Sequence, residues 1–225
     1  MARPPGGGSF LKLLRSNANY RYTWLGQIVS EVGDHFNNIA VFSLALETTH
    51  SGMVVTGIML ARGIPMIVAG PLAGVLLDRM DRRRLMLASD LVRAVVAALF
   101  VLTVDRKDVW LLYVLSGLLM FASPFFTSGR AALLPAIASD AELHTANALN
   151  QTTQSLTLVA GAMTGGLAVS QFGWKGAFLV NAASFVVSAF CVSRLKVAGG
   201  FRPRCAPLTE AEVLRPWRDY AEGLR

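Results

Sequence analysis

Gly74-Val75-Leu76-Leu77-Asp78-Arg79-Met80-Asp81-Arg82-Arg83-Arg84 separates two long apolar runs, Met53 to Leu77 and Leu85 to Val104. Each run is long enough to cross a bilayer, which takes about 20 mostly apolar residues. The six charges between them fall in seven residues. A turn this charged and this short belongs outside the hydrocarbon, so the stretch marks one face of a membrane. Composition agrees. Of 225 residues, 53% are apolar and only 16% charged, with a mean hydropathy of +0.48. A soluble protein carries about 25% charged residues. This excludes a soluble globular domain and a disordered chain alike, because neither could keep so much apolar surface with so few charges. Cys191 and Cys205 are too few for a disulfide framework or a thiolate metal cluster.

Working outward, six apolar segments are expected to span: 22–46, 53–77, 85–104, 109–128, 148–170 and 176–193. Basic residues occur mainly in the segments that alternate to one side. These are the tail 1–21, the loop after the second span, Arg130 after the fourth, and the stretch after the sixth. Together they hold sixteen of the 21 Lys and Arg residues. Arg106, Lys107 and Lys175 fall on the other side, and Arg62 and Arg93 within spans. The positive-inside rule then places both termini in the cytoplasm. The same distribution accounts for the net charge of +7 without nucleic acid.

No removable signal peptide is read in the first 21 residues, and the first span would itself direct insertion. Phe10 to Leu14 could form a short amphipathic piece on the cytoplasmic surface. Residues 197–225 turn polar and contain three prolines, as in a cytoplasmic linker that breaks off as a new helix begins near Trp217. The domain plan is therefore a tail (1–21), a bundle (22–196) and a linker (197–225).

The first span carries the most informative polar residues. Gln27, Glu31, Asp34, His35 and Asn38 recur at i, i+4, i+7, i+8 and i+11, on one helix face. An ionisable group in a membrane costs about 2.5–3.5 kcal/mol on insertion scales, so this face should look into a bundle interior or a wet cavity. Asp34 lies about 18 Å from the cytoplasmic end at 1.5 Å per residue, near the midplane. Desolvation there disfavours its charged form, so it could take up and release a proton near neutral pH. Alternatively, a permanent partner holds it and it serves packing. Arg62, within about 5 Å of the same depth, is the expected partner. A pair that breaks between states would reconcile both readings. Pro65 should kink the second span.

Elsewhere the residues allow plainer readings. Ser116, Met120, Ser123 and Thr127 line one face of the fourth span, as a pathway or as interhelical hydrogen bonds. Asp90 and Arg93, one turn apart, read as a local ion pair. Asn150-Gln151-Thr152 matches a glycosylation sequon at the cytoplasmic mouth, where no glycan is expected. His35 lacks a second ligand at metal-binding spacing, so neither metal nor cofactor is expected.

With Gly74, Leu76, Asp78, Arg79, Arg82 and Arg83 in place, the loop resembles the G-x-L-x-D-R-x-G-R-R signature of the major facilitator superfamily. It departs at Asp81, as in the branch resembling macrolide and enterobactin exporters. Further segments resemble that branch: Gly33-Asp34 with Ile39-Ala40, Ala61-Arg62-Gly63-Ile64-Pro65, and Arg130 to Pro135 with Ala146-Asn147 as a loop between spans four and five. Gly161-Ala162-Met163-Thr164-Gly165-Gly166 resembles the antiporter motif G-P-x-x-G-G, with Ala162 where proline is usual.

The resemblance implies an all-α polytopic membrane protein, the N-terminal six-helix half of a twelve-helix fold. Its partners would be the bilayer, the missing C-terminal half and a small-molecule substrate. Its activity would be proton-coupled efflux of amphipathic molecules such as drugs, macrolides or siderophores. The chain would then be truncated, a fragmentary gene product or one half of a split transporter. In this reading Gly74, Asp78, Arg79, Arg82 and Arg83 form a cytoplasmic gating loop, charges at its helix ends holding one half against the other. Gly74, Gly161, Gly165 and Gly166 let helices approach or slide. The alternative is a six-helix membrane scaffold or regulatory half without transport, or a non-functional fragment. A membrane enzyme is disfavoured, because no nucleophile–base spacing is present.

Overall fold

A computed structural model of the chain describes residues 7–106 and 108–196, and all the described secondary structure is helical. The elements are α1 (Gly7–Ser16), α2 (Ala18–Thr49), α3 (Gly52–Arg79), α4 (Arg82–Leu99), α5 (Val101–Arg106), α6 (Val109–Ile137) and α7 (Asp140–Ser193). The expected linker 197–225 lies outside the described residues, as do Arg3 and Lys107.

Local chemistry sets the helix ends. Asn17 caps α2 by accepting the Tyr20 N–H at 3.0 Å, and His50 closes the helix in the left-handed region at φ 52°. Asp81 caps α4 by accepting the Arg84 N–H at 3.1 Å. The carboxylate where the signature has glycine thus performs a helix-capping role. Ser139 and Glu142 form a reciprocal capping box at the start of α7.

Among the described residues, four helices are both long and apolar enough to cross a membrane: Gly52–Arg79, Arg82–Arg106, Val109–Ile137 and Glu142–Ser193. This differs from the six segments expected, for two physical reasons. The first segment forms α2, which is long enough but interrupted by its polar face. The fifth and sixth lie within the single helix α7, interrupted at Gly173 by φ 66° and ψ 178°. A straight helix of 54 residues would measure about 80 Å, far more than a bilayer core. It folds back instead. Along its first arm, Thr153 meets Trp24 and Gly161 and Gly165 meet His35 and Ile39, so this arm runs parallel to α2. Along its second arm, Trp174 meets Ser43 and Ser188 meets Gly26, so that arm runs antiparallel. Only a residue tolerant of positive φ can make this reversal without strain.

The same logic orders the rest. Tyr113 bonds the Val54 carbonyl and Gly129 meets Leu77, so α6 runs parallel to α3. Ser89 bonds the Ala122 carbonyl and Arg82 the Ala132 carbonyl, so α4 runs antiparallel to α6. The largest core, around Phe100, Phe178, Phe185, Leu119 and Val41, joins α2, α4, α6 and the second arm of α7. Phe100 and Phe178 stack at 5.1 Å. Meanwhile Leu60, Ile64, Ile67, Leu156, Val159 and Met163 face outward. So much exposed apolar surface suits lipid or a second bundle rather than water.

Two boundaries move enough to matter. Arg130 to Pro135 belongs to α6 and Ala146-Asn147 to α7, so these are helical positions rather than a loop. The amphipathic piece near Phe10 is the helix α1, whose Leu13 packs with Tyr20, Leu134, Ala146 and Leu149.

Candidate transport site

The polar face of α2 is assembled into a chain of hydrogen bonds. Gln27 Nε2 donates to Glu31 Oε1 at 2.7 Å, and Thr157 Oγ1 donates to Glu31 Oε2 at 2.7 Å. Arg130 on α6 donates to Gln27 Oε1. One guanidinium, one amide and one carboxylate are thereby linked across α6, α2 and α7. Gln27 is fully buried, so each of its polar atoms needs these partners.

Further along α2 the arrangement differs from expectation. Arg62 does not pair with Asp34. Its Nη1 donates to Asn38 Oδ1 at 2.8 Å, and its guanidinium lies 4.9 Å from the centre of the Phe42 ring. The antiparallel packing of α2 and α3 sets Arg62 one helical turn beyond Asp34. Asp34 Oδ1 is buried and accepts no hydrogen bond from the described residues. The charges of Arg93, Arg62 and Glu31 nevertheless act on it. His35 is packed against Gly161, where an added Cβ would stand 2.5 Å from the ring.

Asp90 and Arg93 form the ion pair read from their spacing. It is more than a local contact, because Asp90 is 0% and Arg93 3% exposed at the side chain. Ser188 on the second arm of α7 donates to Asp90 Oδ2 at 2.8 Å, and Arg93 lies over Phe126 at 4.6 Å and Phe185 at 4.4 Å. On α6, the hydroxyls of the polar line make no hydrogen bond to another helix among the described residues, while Met120 packs into the core. Ser123 bonds back to Leu119 O at 2.8 Å and Thr127 to Pro124 O at 3.3 Å, while Ser116 is buried.

The charged loop splits into two structural groups. Arg82 donates to Ala132 O at 2.8 Å, and Arg83 to the carbonyls of Val192 and Ser193. These two arginines tie the ends of α6 and α7 to α4 within the bundle. Asp78 and Arg79 are exposed beside them. Of the glycines expected at close helix contacts, Gly161 and Gly165 sit against His35 and Ile39. Gly74 and Gly166 do not, since an added Cβ at either meets nothing within 4 Å. Both point away from the packed faces of their helices.

Sequence reading assigned Arg130 to a loop and so missed it as part of this site. It also missed Thr157, although Thr153, Thr157, Gly161 and Gly165 recur every fourth residue. That stripe of small residues is the signal that a close helix neighbour lies there.

These features describe a helical membrane bundle with an ionisable polar line along one of its helices. Residues 23–220 match the Major Facilitator Superfamily, and the chain belongs to that family of membrane transporters. It is 27% identical over 96% of its length to the inferred bacilysin exporter BacE of Bacillus subtilis (strain 168), covering 52% of that protein. It is 31% identical over 88% of its length to the multidrug efflux pump Tap of Mycolicibacterium fortuitum, covering 49%. It is 23% identical over 77% of its length to macrolide efflux protein A of Streptococcus pyogenes, covering 44%. The chain thus spans about half the length of the curated relatives it matches.

Proposed function

We propose that the chain is the N-terminal half of a proton-coupled exporter of amphipathic small molecules in the cell membrane. In this reading six segments cross the bilayer: α2, α3, α4 with α5, α6 and the two arms of α7. Both termini are cytoplasmic, as the basic residues favour. The substrate lies between this half and a second one. Asp78 and Arg79, exposed at the end of α3, are available to hold the second half on the cytoplasmic side. The efflux names of the relatives support the direction of transport.

The observation that carries the reading is Asp34. A buried carboxylate oxygen that accepts no hydrogen bond among the described residues, within reach of the charges of Arg93, Arg62, Glu31 and Asp90, is costly to the fold. Such a cost is understandable if the group exchanges a proton during the cycle. Glu31 assists, one turn closer to the cytoplasm. Protonation from outside would favour the outward-releasing state by differential binding. The membrane potential adds about 2.3 kcal/mol per charge per 100 mV.

The test uses the transporter assembled with its second half in everted vesicles containing a pH indicator. Adding a macrolide or ethidium should drive proton release with wild type and not with Asp34→Asn. Equal release by both would exclude Asp34 as the carrier.

A further inference from the structure

The geometry points to a carboxylate-binding recess around Arg130, at the junction of α6 with the first arm of α7. It rests on the transport reading and adds one class of substrate to the amphipathic molecules named there: a small molecule bearing one carboxylate beside amide-like polar groups.

A cavity of about 270 Å³ opens there, lined by Arg130, Asn147, Asn150, Gln151 and Gln154 among others. It contains one cation and four neutral amides. Among the described residues no carboxylate lies within 4.0 Å of Arg130. Its hydrogen-bonded partner is the neutral Gln27 oxygen. Glu31, whose charge acts on it, is already engaged by Gln27 and Thr157. A guanidinium has five donors in a planar fork suited to two oxygens of one carboxylate. Most of that fork remains for a ligand.

The amides complement it. Tyr20 OH lies 3.0 Å from both the Ala146 carbonyl and Asn150 Oδ1 and shares its one hydrogen between them, while the Asn150 NH₂ has both of its hydrogens to offer. Asn147, Gln151 and Gln154 recur along one face of α7 and supply both donors and acceptors. With a single cation in the lining, one negative charge is matched and a doubly charged phosphate is not. The bound anion also has a route to the α2 site. It would compete with Gln27 for the guanidinium, and Gln27 is the bridge to Glu31.

The probe is dansylglycine, with dansylglycinamide as its uncharged twin, titrated by fluorescence against the 225-residue chain in phosphatidylcholine nanodiscs. Wild type should favour the carboxylate by about tenfold or more. Arg130→Gln should abolish the preference and Arg130→Lys retain part of it, because a lysine keeps charge without the fork. Gln151→Ala, which does not touch Gln27, should weaken both probes severalfold and covers the case in which Arg130 variants fail to fold. Equal affinity of wild type for both probes would overturn the assignment, as would a preference surviving in Arg130→Gln. Adding phosphatidylglycerol should leave the preference intact. Its loss would assign the recess to a lipid headgroup instead and refute the small-molecule assignment. Binding is read at equilibrium without transport. Loss of the preference therefore leaves the proton-coupling reading standing, and failed proton release leaves the recess standing.

Discussion

Replacing Arg93 by methionine tests how the interior of this half is held together. In the native bundle Arg93 pairs with Asp90, Ser188 bonds the same carboxylate, and two phenylalanine rings flank the guanidinium at 4.4 and 4.6 Å. Arg93→Met keeps most of the volume but leaves Asp90 as a buried, uncompensated anion. Breaking a buried pair in this way costs about 3–5 kcal/mol. Asp90→Asn should cost a similar amount, since it strands the arginine. Removing both together should cost only about 1–3 kcal/mol, because an ion pair replaced by neutral groups no longer carries a desolvation penalty. The coupling between the two sites is then at least about 3 kcal/mol. The assay is unfolding by increasing SDS mole fraction in mixed micelles, followed by far-ultraviolet circular dichroism, for wild type, both single variants and the double variant. Single costs below about 1 kcal/mol, or a double variant equal to the sum of the singles, would refute the argument.

Two further outcomes follow from local geometry. Gly161→Ala should destabilise the bundle by about 1–3 kcal/mol, because the new Cβ would stand under 3.0 Å from three atoms of His35. Gly166→Ala, which meets open space, should stay within about 0.5 kcal/mol, and thermal melts of the purified chain separate the two. Asp81→Ala should cost about 1 kcal/mol through loss of the α4 cap, and Asp81→Gly only a few tenths. Hydrogen exchange at the Arg84 amide should accelerate about fivefold with alanine and less than twofold with glycine.

Much of the fold is legible in order along the chain. Hydrophobic runs separated by charged turns mark where helices lie, while the caps at Asn17, Asp81 and Asp108 came from the structure. The helix ends near Arg130 were less legible. Arg130 to Pro135 reads as a loop because it combines a charge with a proline, yet Pro135 falls near the end of α6, where a broken hydrogen bond matters little. The turn at Gly173 was legible only as the gap between two apolar runs. Its positive φ is what allows the two arms of α7 to flank α2.

Periodicity along α2 was enough to put Gln27, Glu31, Asp34 and Asn38 on one face, because side-chain direction in a helix depends only on spacing. Which partner each of them meets was beyond it. The choice of Asn38 over Asp34 for Arg62 depends on the relative height of two antiparallel helices, and a shift of one turn, about 5.4 Å, changes it. Arg130 reaches Gln27 only because α6 continues past the apolar run and packs beside α2. Composition and spacing therefore determined a helical membrane protein with a polar line on its first long helix. The tertiary structure alone decided how that line is wired, since contacts between helices depend on packing offsets that no local pattern records.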